Sequence, residues 1–258
     1  MFSVTHIIYL AIFIPLAVGL AIFVGKKWGW HKRVLYVCCG LAVVSELVKI
    51  FSLVSRYYGE EGVSYYLMQE YLPFNLCSIQ IIFIFMITFM KSENVKKYLM
   101  YFMYPTMLGG GLMALLIPTT SVNHGFFAPI SFQFWIFHGM LIFLALYMII
   151  TKPVKFSIKG YFIALLMTAV AFVFAIYINS ALRSIDSEVN FFFVARPPLE
   201  GLPILNLDHG WIVYILHLAW LAILLISLAY LPVFIKAIRD KLDKRRAKAL
   251  TCEHDKNI

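Results

Sequence analysis

The sequence predicts an all-α fold: a polytopic membrane protein built as a bundle of seven transmembrane helices, N-terminus outside and C-terminus cytoplasmic. Three observations lead there. Seven apolar stretches of 19 residues or more fill the chain. Positive charges fall on every second connection between them. Of the 258 residues, 62% are hydrophobic and 14% charged, where a soluble domain carries about 25% charged residues. A surface of that composition needs the bilayer as its solvent, and 23 Phe suit lipid-facing positions.

The stretches are Thr5–Val24, Val34–Leu53, Leu72–Met90, Tyr98–Pro118, Pro129–Thr151, Tyr161–Leu182 and Trp211–Ile235. At ~1.5 Å rise per residue each is long enough to cross a ~30 Å hydrocarbon core. Connections one, three and five and the chain after Ile235 hold 18 of the 22 Lys and Arg. Connections two, four and six hold Arg56, Arg183 and Arg196 against Glu60, Glu61, Glu70, Asp186, Glu188, Glu200 and Asp208. Positive charge stays in the cytoplasm. Residues 1–235 are therefore expected to form the transmembrane domain of a multi-pass cell-membrane protein, and 236–258 a basic cytoplasmic tail.

Segment one has no Lys or Arg before it, and Lys26 and Lys27 after it. A secretory signal has the opposite arrangement, so a retained N-out helix is expected. Segment two carries Glu46 and Lys49, three apart on one helix face. Segment three is the shortest and opens Leu72-Pro73-Phe74-Asn75-Leu76-Cys77. Pro73 fits a first helical turn, which would put Cys77 about one turn in. Segment four contains Pro105 and then Gly109-Gly110-Gly111. Three glycines mid-span either unwind a helix or let a neighbour approach closely. Segment five carries His138 within Phe134-Trp135-Ile136-Phe137-His138-Gly139. Segment six ends with Asn179 and Arg183.

Connection six, Arg183 to Gly210, is long enough to fold back over the bundle as a cap. Its Arg196-Pro197-Pro198 run excludes a regular helix there. Segment seven opens with Trp211, Tyr214 and His217. The basic stretch from Lys236 to Lys248 reads either as a juxtamembrane helix on an anionic leaflet or as a solvated tail.

The net charge of +9 could suit nucleic acid, but the Lys and Arg cluster beside apolar segments, so no nucleic-acid role is expected. Four Cys give no disulfide framework: Cys38 and Cys39 lie near the cytoplasmic end of segment two and Cys252 in the tail, leaving Cys77 alone on the outer side. No metal spacing, phosphate loop or serine elbow appears, and no cofactor is expected. Membrane lipids are the expected partners. Nothing in the sequence fixes an oligomeric state.

Ionisable groups cost roughly 2.5–3.5 kcal/mol in hydrocarbon on insertion scales and mark function by default. The orientation gives depths. Asn75, Cys77, Ser78 and Gln80 fall about 6–14 Å below the outer interface, His138 about 13 Å, Tyr214 and His217 about 5–9 Å, and Glu46 and Lys49 about 10–15 Å. Five segments thus place polar groups in one half of the bilayer, as a site would. Each has a structural alternative. Glu46 and Lys49 would neutralise each other, His217 and His138 would satisfy hydrogen bonds, and a lone Cys behaves as a small hydrophobe. Together, Cys77 and His138 have the chemistry of a nucleophile and its base.

The Leu-Pro-Phe-x-Leu-Cys opening of segment three, His138-Gly139, Asn190 followed by Arg196-Pro197, and Trp211 with Tyr214 resemble the YwaF-like family of integral membrane proteins. That family includes a vertebrate acyltransferase that builds ether phospholipids. The resemblance implies an acyl-carrying nucleophile at Cys77 and a catalytic partner at His138. The family commonly has His two residues before the Cys. Here Asn75 stands there, which can orient a group or donate to an oxyanion but cannot act as a base at neutral pH.

The expectation is a membrane-embedded acyltransferase that moves fatty acyl chains between lipids through a Cys77 thioester. Cys77, His138 and Asn75 would be catalytic. Glu46, Lys49, Gln80, Asn179, Asn190, Arg196, Tyr214 and His217 would bind substrate. The alternative is a non-enzymatic transporter, receptor or lipid-binding protein with an outward-facing polar cavity. A third reading is a structural membrane factor whose polar groups only join helices.

Overall fold

A computed structural model of the chain describes residues 3–57, 72–185, 187, 189–199, 201, 202 and 204–254. Among them the fold is all helical: α1 Val4–Trp28, α2 Lys32–Tyr57, α3 Ile79–Phe89, α4 Glu93–Leu116, α5 Thr119–His124, α6 Pro129–Thr151, α7 Ile158–Leu182 and α8 Trp211–His254. Six helical stretches, all but α3 and the short α5 by themselves, are long and apolar enough to cross a membrane. This is a membrane-embedded, multi-pass bundle. The acidic residues Glu60, Glu61, Glu70, Asp186, Glu188 and Glu200, and Pro203, lie outside the described residues.

Local chemistry starts and stops these helices. Ser3, Ser92 and Ser157 cap α1, α4 and α7 by accepting from the N–H of His6, Val95 and Gly160. An unsatisfied first-turn donor is thereby paired. Lys26 and Lys27 occupy the last turn of α1, where positive charge suits the helix dipole. Pro129 begins α6, where its missing N–H costs nothing.

Helices α4 and α6 are the inner pair. Their most apolar windows are 61% and 67% buried, against 17–22% for the other four spans. The rest pack around them. His6 on α1 bonds Leu115 O at 2.9 Å, and Gln133 on α6 donates to Ser45 on α2 at 2.5 Å. At the basic end of the bundle, Tyr104 donates to Ala229 O at 2.6 Å and Tyr230 to Tyr101 O at 3.1 Å, which ties α8 to α4. On α7, Phe162, Leu166, Val170 and Val173 form an exposed apolar stripe, as a lipid-facing surface requires.

The three glycines leave α4 unbroken. Each serves a different neighbour. A Cβ at Gly109 would stand 3.2 Å from Leu225 Cβ on α8, one at Gly110 3.5 Å from Cys77 Sγ, and one at Gly111 2.9 Å from Ile142 on α6. Close packing on three sides is what the run provides.

One expectation changes. Segment three is not one helix from its start: residues 72–78 are turns, and only the 11 residues Ile79–Phe89 are helical. That helix is about 16 Å long, short of the ~30 Å core. Phe74 N–H bonds Leu72 O at 2.8 Å, and Gln80 and Ile81 N–H bond Cys77 and Ser78 O at 3.2 and 3.1 Å, three residues back. Pro73 supplies no donor, and Asn75 and Ser78 favour turns over helix interiors. Cys77 therefore precedes the helix instead of sitting one turn inside it. At the other end of the chain, α8 runs 44 residues without a stop, through Pro232 and across residue 235. The basic stretch continues the transmembrane helix as one rod.

Candidate functional site

The part of the connection from Arg183 to Gly210 that the structure describes folds back onto the bundle as a strap. Asn179 at the end of α7 grips Phe191 twice. Its Oδ1 accepts from Phe191 N–H at 2.8 Å, and its Nδ2 donates to Phe191 O at 3.0 Å. Asn75 Oδ1 accepts from Phe192 N–H at 3.2 Å. Tyr214 donates to Phe193 O, and Trp211 Nε1 to Val194 O at 2.8 Å. His217 Nδ1 meets Ile204 O at 3.0 Å. Asn190 closes the strap on itself, accepting from Ala195 and Arg196 N–H and donating to Arg196 O. Phe74 packs edge-on against Phe191, ring centroids 5.4 Å apart.

These bonds explain an unusual backbone. Phe192 and Phe193 have φ of 57° and 55°, the left-handed region that bulky residues avoid. Such a conformation costs of order 1–3 kcal/mol and persists only where surroundings over-determine it. Here Asn75, Asn179 and Tyr214, from three separate elements, hold the three phenylalanines in turn. Asn75, Asn179, Asn190, Tyr214 and His217 thus have partners within the chain itself, as does the Arg196 backbone.

The strap rests on the turns two residues before Cys77. Cys77 is half-buried and reduced, with its sulfur facing Gly110 of α4. One turn of α4 earlier, Thr106 Oγ1 accepts from Gln80 Nε2 at 3.0 Å. The same Nε2 donates to Leu76 O at 3.3 Å. Gln80 is fully buried, and its Oε1 has no hydrogen-bond partner among the described residues. Thr106 was not expected at the site. Its only sequence signal is its place one helical turn before Gly110.

His138 is buried on α6. Its Nδ1 donates to Phe134 O at 2.7 Å, and its ring packs 4.3 Å from that of Phe134. That bond fixes the proton on Nδ1 in the neutral ring and leaves Nε2 as an acceptor. The backbone oxygen of His138 would lie 3.2 Å from a Cβ at Gly111, beside the Gly110 that faces Cys77. Cys77 and His138 therefore flank neighbouring positions of α4. Among the described residues, no hydrogen bond joins them. Glu46 and Lys49 form an ion pair at 2.6 Å within α2, and no described hydrogen bond links either to the cluster. Among the described residues no three His, Cys, Asp or Glu gather as metal ligands would.

A cavity of about 500 Å³ opens elsewhere, between the end of α2 and the start of α6. Leu47, Phe51, Ser52, His124, Pro129 and Ile130 line it.

The fold and this cluster define a class: a multi-pass membrane protein with a strap folded over a cluster of polar side chains beside the Cys77 thiol. Within that class the chain belongs to the TMEM164 family, whose family model matches residues 1–230. No curated protein matches the chain, and no solved structure matches it. The match ends at Tyr230, so the basic arm of α8 lies beyond it.

Proposed function

We propose that this TMEM164-family protein is an acyltransferase of the cell membrane, N-terminus outside and C-terminus cytoplasmic, that carries fatty acyl chains between lipids as a Cys77 thioester. The observation that carries the reading is the setting of Cys77. The only thiol at the strap end stands in turns instead of a helix, against a glycine, beside an amide with a free acceptor. The likeness to the YwaF-like family and its ether-phospholipid acyltransferase points the same way.

In the first half-reaction the Cys77 thiolate attacks the carbonyl carbon of a phospholipid ester. The C–S bond forms, the C–O bond breaks, and the lysophospholipid alkoxide takes the proton that left the thiol. His138 Nε2, the ring nitrogen with a lone pair, is the atom to hold that proton between steps. In the second half an acceptor hydroxyl attacks the thioester, its C–O bond forms, and the thiolate leaves. Asn75 has its Oδ1 on the strap, so it acts by positioning the turns before Cys77.

Incubating purified protein with a phospholipid labelled in its acyl chain tests this. Hydroxylamine-sensitive label should appear on the wild type and be absent from Cys77→Ser. No label on the wild type, or equal label on both, would sink the reading.

One observation favours a second reading, lipid binding without chemistry: the apolar cavity between α2 and α6 lies apart from Cys77. Equal lipid retention by wild type and Cys77→Ser, with no thioester in either, would support it.

A further inference from the structure

The orphaned oxygen of Gln80 has a consequence for the second half-reaction. Side-chain amide oxygen and nitrogen are assigned from their partners. Here the assignment is forced, because Leu76 O can only accept, so the atom facing it at 3.3 Å must be the NH2. Thr106 Oγ1 already donates to Phe102 O at 2.6 Å, so it too receives from that NH2. Both amide hydrogens are then used, and Oε1 is left fully buried with no donor facing it among the described residues. A buried carbonyl without a partner is costly, and lipid offers no water to relieve it.

The amide folds back along its own chain toward Leu76, so it sits level with the residue after it, Cys77. Gln80 N–H also bonds Cys77 O at 3.2 Å. The same face of α4 covers both: Thr106 meets Gln80, and Gly110, four residues on, meets Cys77 and Leu76. The contacts of the amide and of the thiol with α4 therefore lie one helical turn apart. Only a donor fits Oε1. The reacting group of an acyl donor is an ester, which has no N–H or O–H. The acyl acceptor does.

We infer that Gln80 binds the acyl acceptor: its Oε1 receives the hydroxyl O–H of the alcohol that takes the chain from Cys77. This rests on the thioester reading above. The O–H points its hydrogen at Gln80 and turns an oxygen lone pair toward the thioester carbon. As the new C–O bond forms, the hydroxyl proton passes to the departing thiolate or to His138. Thr106 is a positioning residue that holds the amide in register. An O–H donor could also be water, and the product tells the two apart, an ester from an alcohol and a free fatty acid from water.

The test is a pulse and chase on the full chain. Cys77 is loaded from vesicles of phosphatidylcholine labelled in the acyl chain, then chased with lysophosphatidylcholine. Wild type should pass its label to the lysolipid. Gln80→Met keeps the length of the side chain and removes both polar atoms. It should load Cys77 within about twofold of wild type and transfer at least about tenfold more slowly. Thr106→Val keeps Oε1 but loosens it, and should slow transfer by about threefold with loading unchanged. It also serves if Gln80→Met does not fold. Transfer at the wild-type rate from loaded Gln80→Met, or from loaded Thr106→Val where Gln80→Met does not fold, overturns the inference while leaving the thioester standing. Label leaving wild type only as free fatty acid overturns the alcohol as the donor. A wild type that never loads removes the inference and the proposed function together.

Discussion

Asn179 shows how much one side chain holds at the residue scale. It satisfies both backbone groups of Phe191, a fully buried residue at the middle of the strap. Asn179→Ala would leave that N–H and C=O unpaired, at about 1–3 kcal/mol each. The expected result is a lower thermal midpoint and faster proteolysis between residues 183 and 210, with cleavage elsewhere unchanged. His138 is tested by alkylation. If its Nε2 takes the Cys77 proton, His138→Ala should slow thiol alkylation near neutral pH by at least about tenfold, equivalent to about 1.4 kcal/mol. A folded mutant that alkylates at the wild-type rate would remove His138 as the base.

Helix α4 carries the prediction at the scale of the element. Gly110 and Gly111 are adjacent and look alike in sequence, yet their surroundings differ. A methyl at Gly110 would make ordinary contact with Cys77 Sγ at 3.5 Å, whereas one at Gly111 would press on Ile142 at 2.9 Å and on the His138 backbone at 3.2 Å. Gly110→Ala should therefore be neutral or slightly stabilising, since Ala suits a helix better by about 0.5–1 kcal/mol. Gly111→Ala should cost about 1–3 kcal/mol as overpacking. Equal thermal midpoints in detergent for the two variants would contradict the contacts. Close approach at these glycines was legible in the sequence. Segment three was not fully so. Hydropathy reports burial, and Leu-Pro-Phe-Asn-Leu-Cys-Ser is apolar enough to be buried, but its backbone bonds mix spacings of two, three and four residues, as turns do and a regular helix does not. The left-handed Phe192 and Phe193 were also hidden, because nothing in Phe-Phe-Phe shows that three elements will reach for those backbone groups.

Across the whole molecule, charge and hydropathy set out the apolar spans and led to the expectation that the polar groups share one depth. Asn75, Asn179, Tyr214 and His217 do meet at one end of the bundle. What charge could not reveal is that the chain's own strap takes their hydrogen bonds, because that depends on where residues 183–210 come to rest. The pairing of Gln80 with Thr106 depends on the register of α3 against α4, which no single-sequence pattern encodes. Labelling in intact cells reads out the orientation. A cysteine probe at Ser157, beside the Lys-rich connection before α7, should be protected from an impermeant reagent. One at Ser64, outside the described residues, should react. The reverse pattern would invert the topology.

The unbroken α8 has a mechanical consequence. Tyr104 and Tyr230 clamp it near its middle, with about 28 Å of helix on the strap side, from Trp211, and about 36 Å on the basic side, to His254. It is a lever whose fulcrum is the tyrosine clamp. Pro232 sits two residues past that fulcrum, where its missing N–H makes the rod most compliant. Under a sideways load on the basic arm, bending about Pro232 is the expected response, and the arm that carries Trp211, Tyr214 and His217 is expected to move less than the far end.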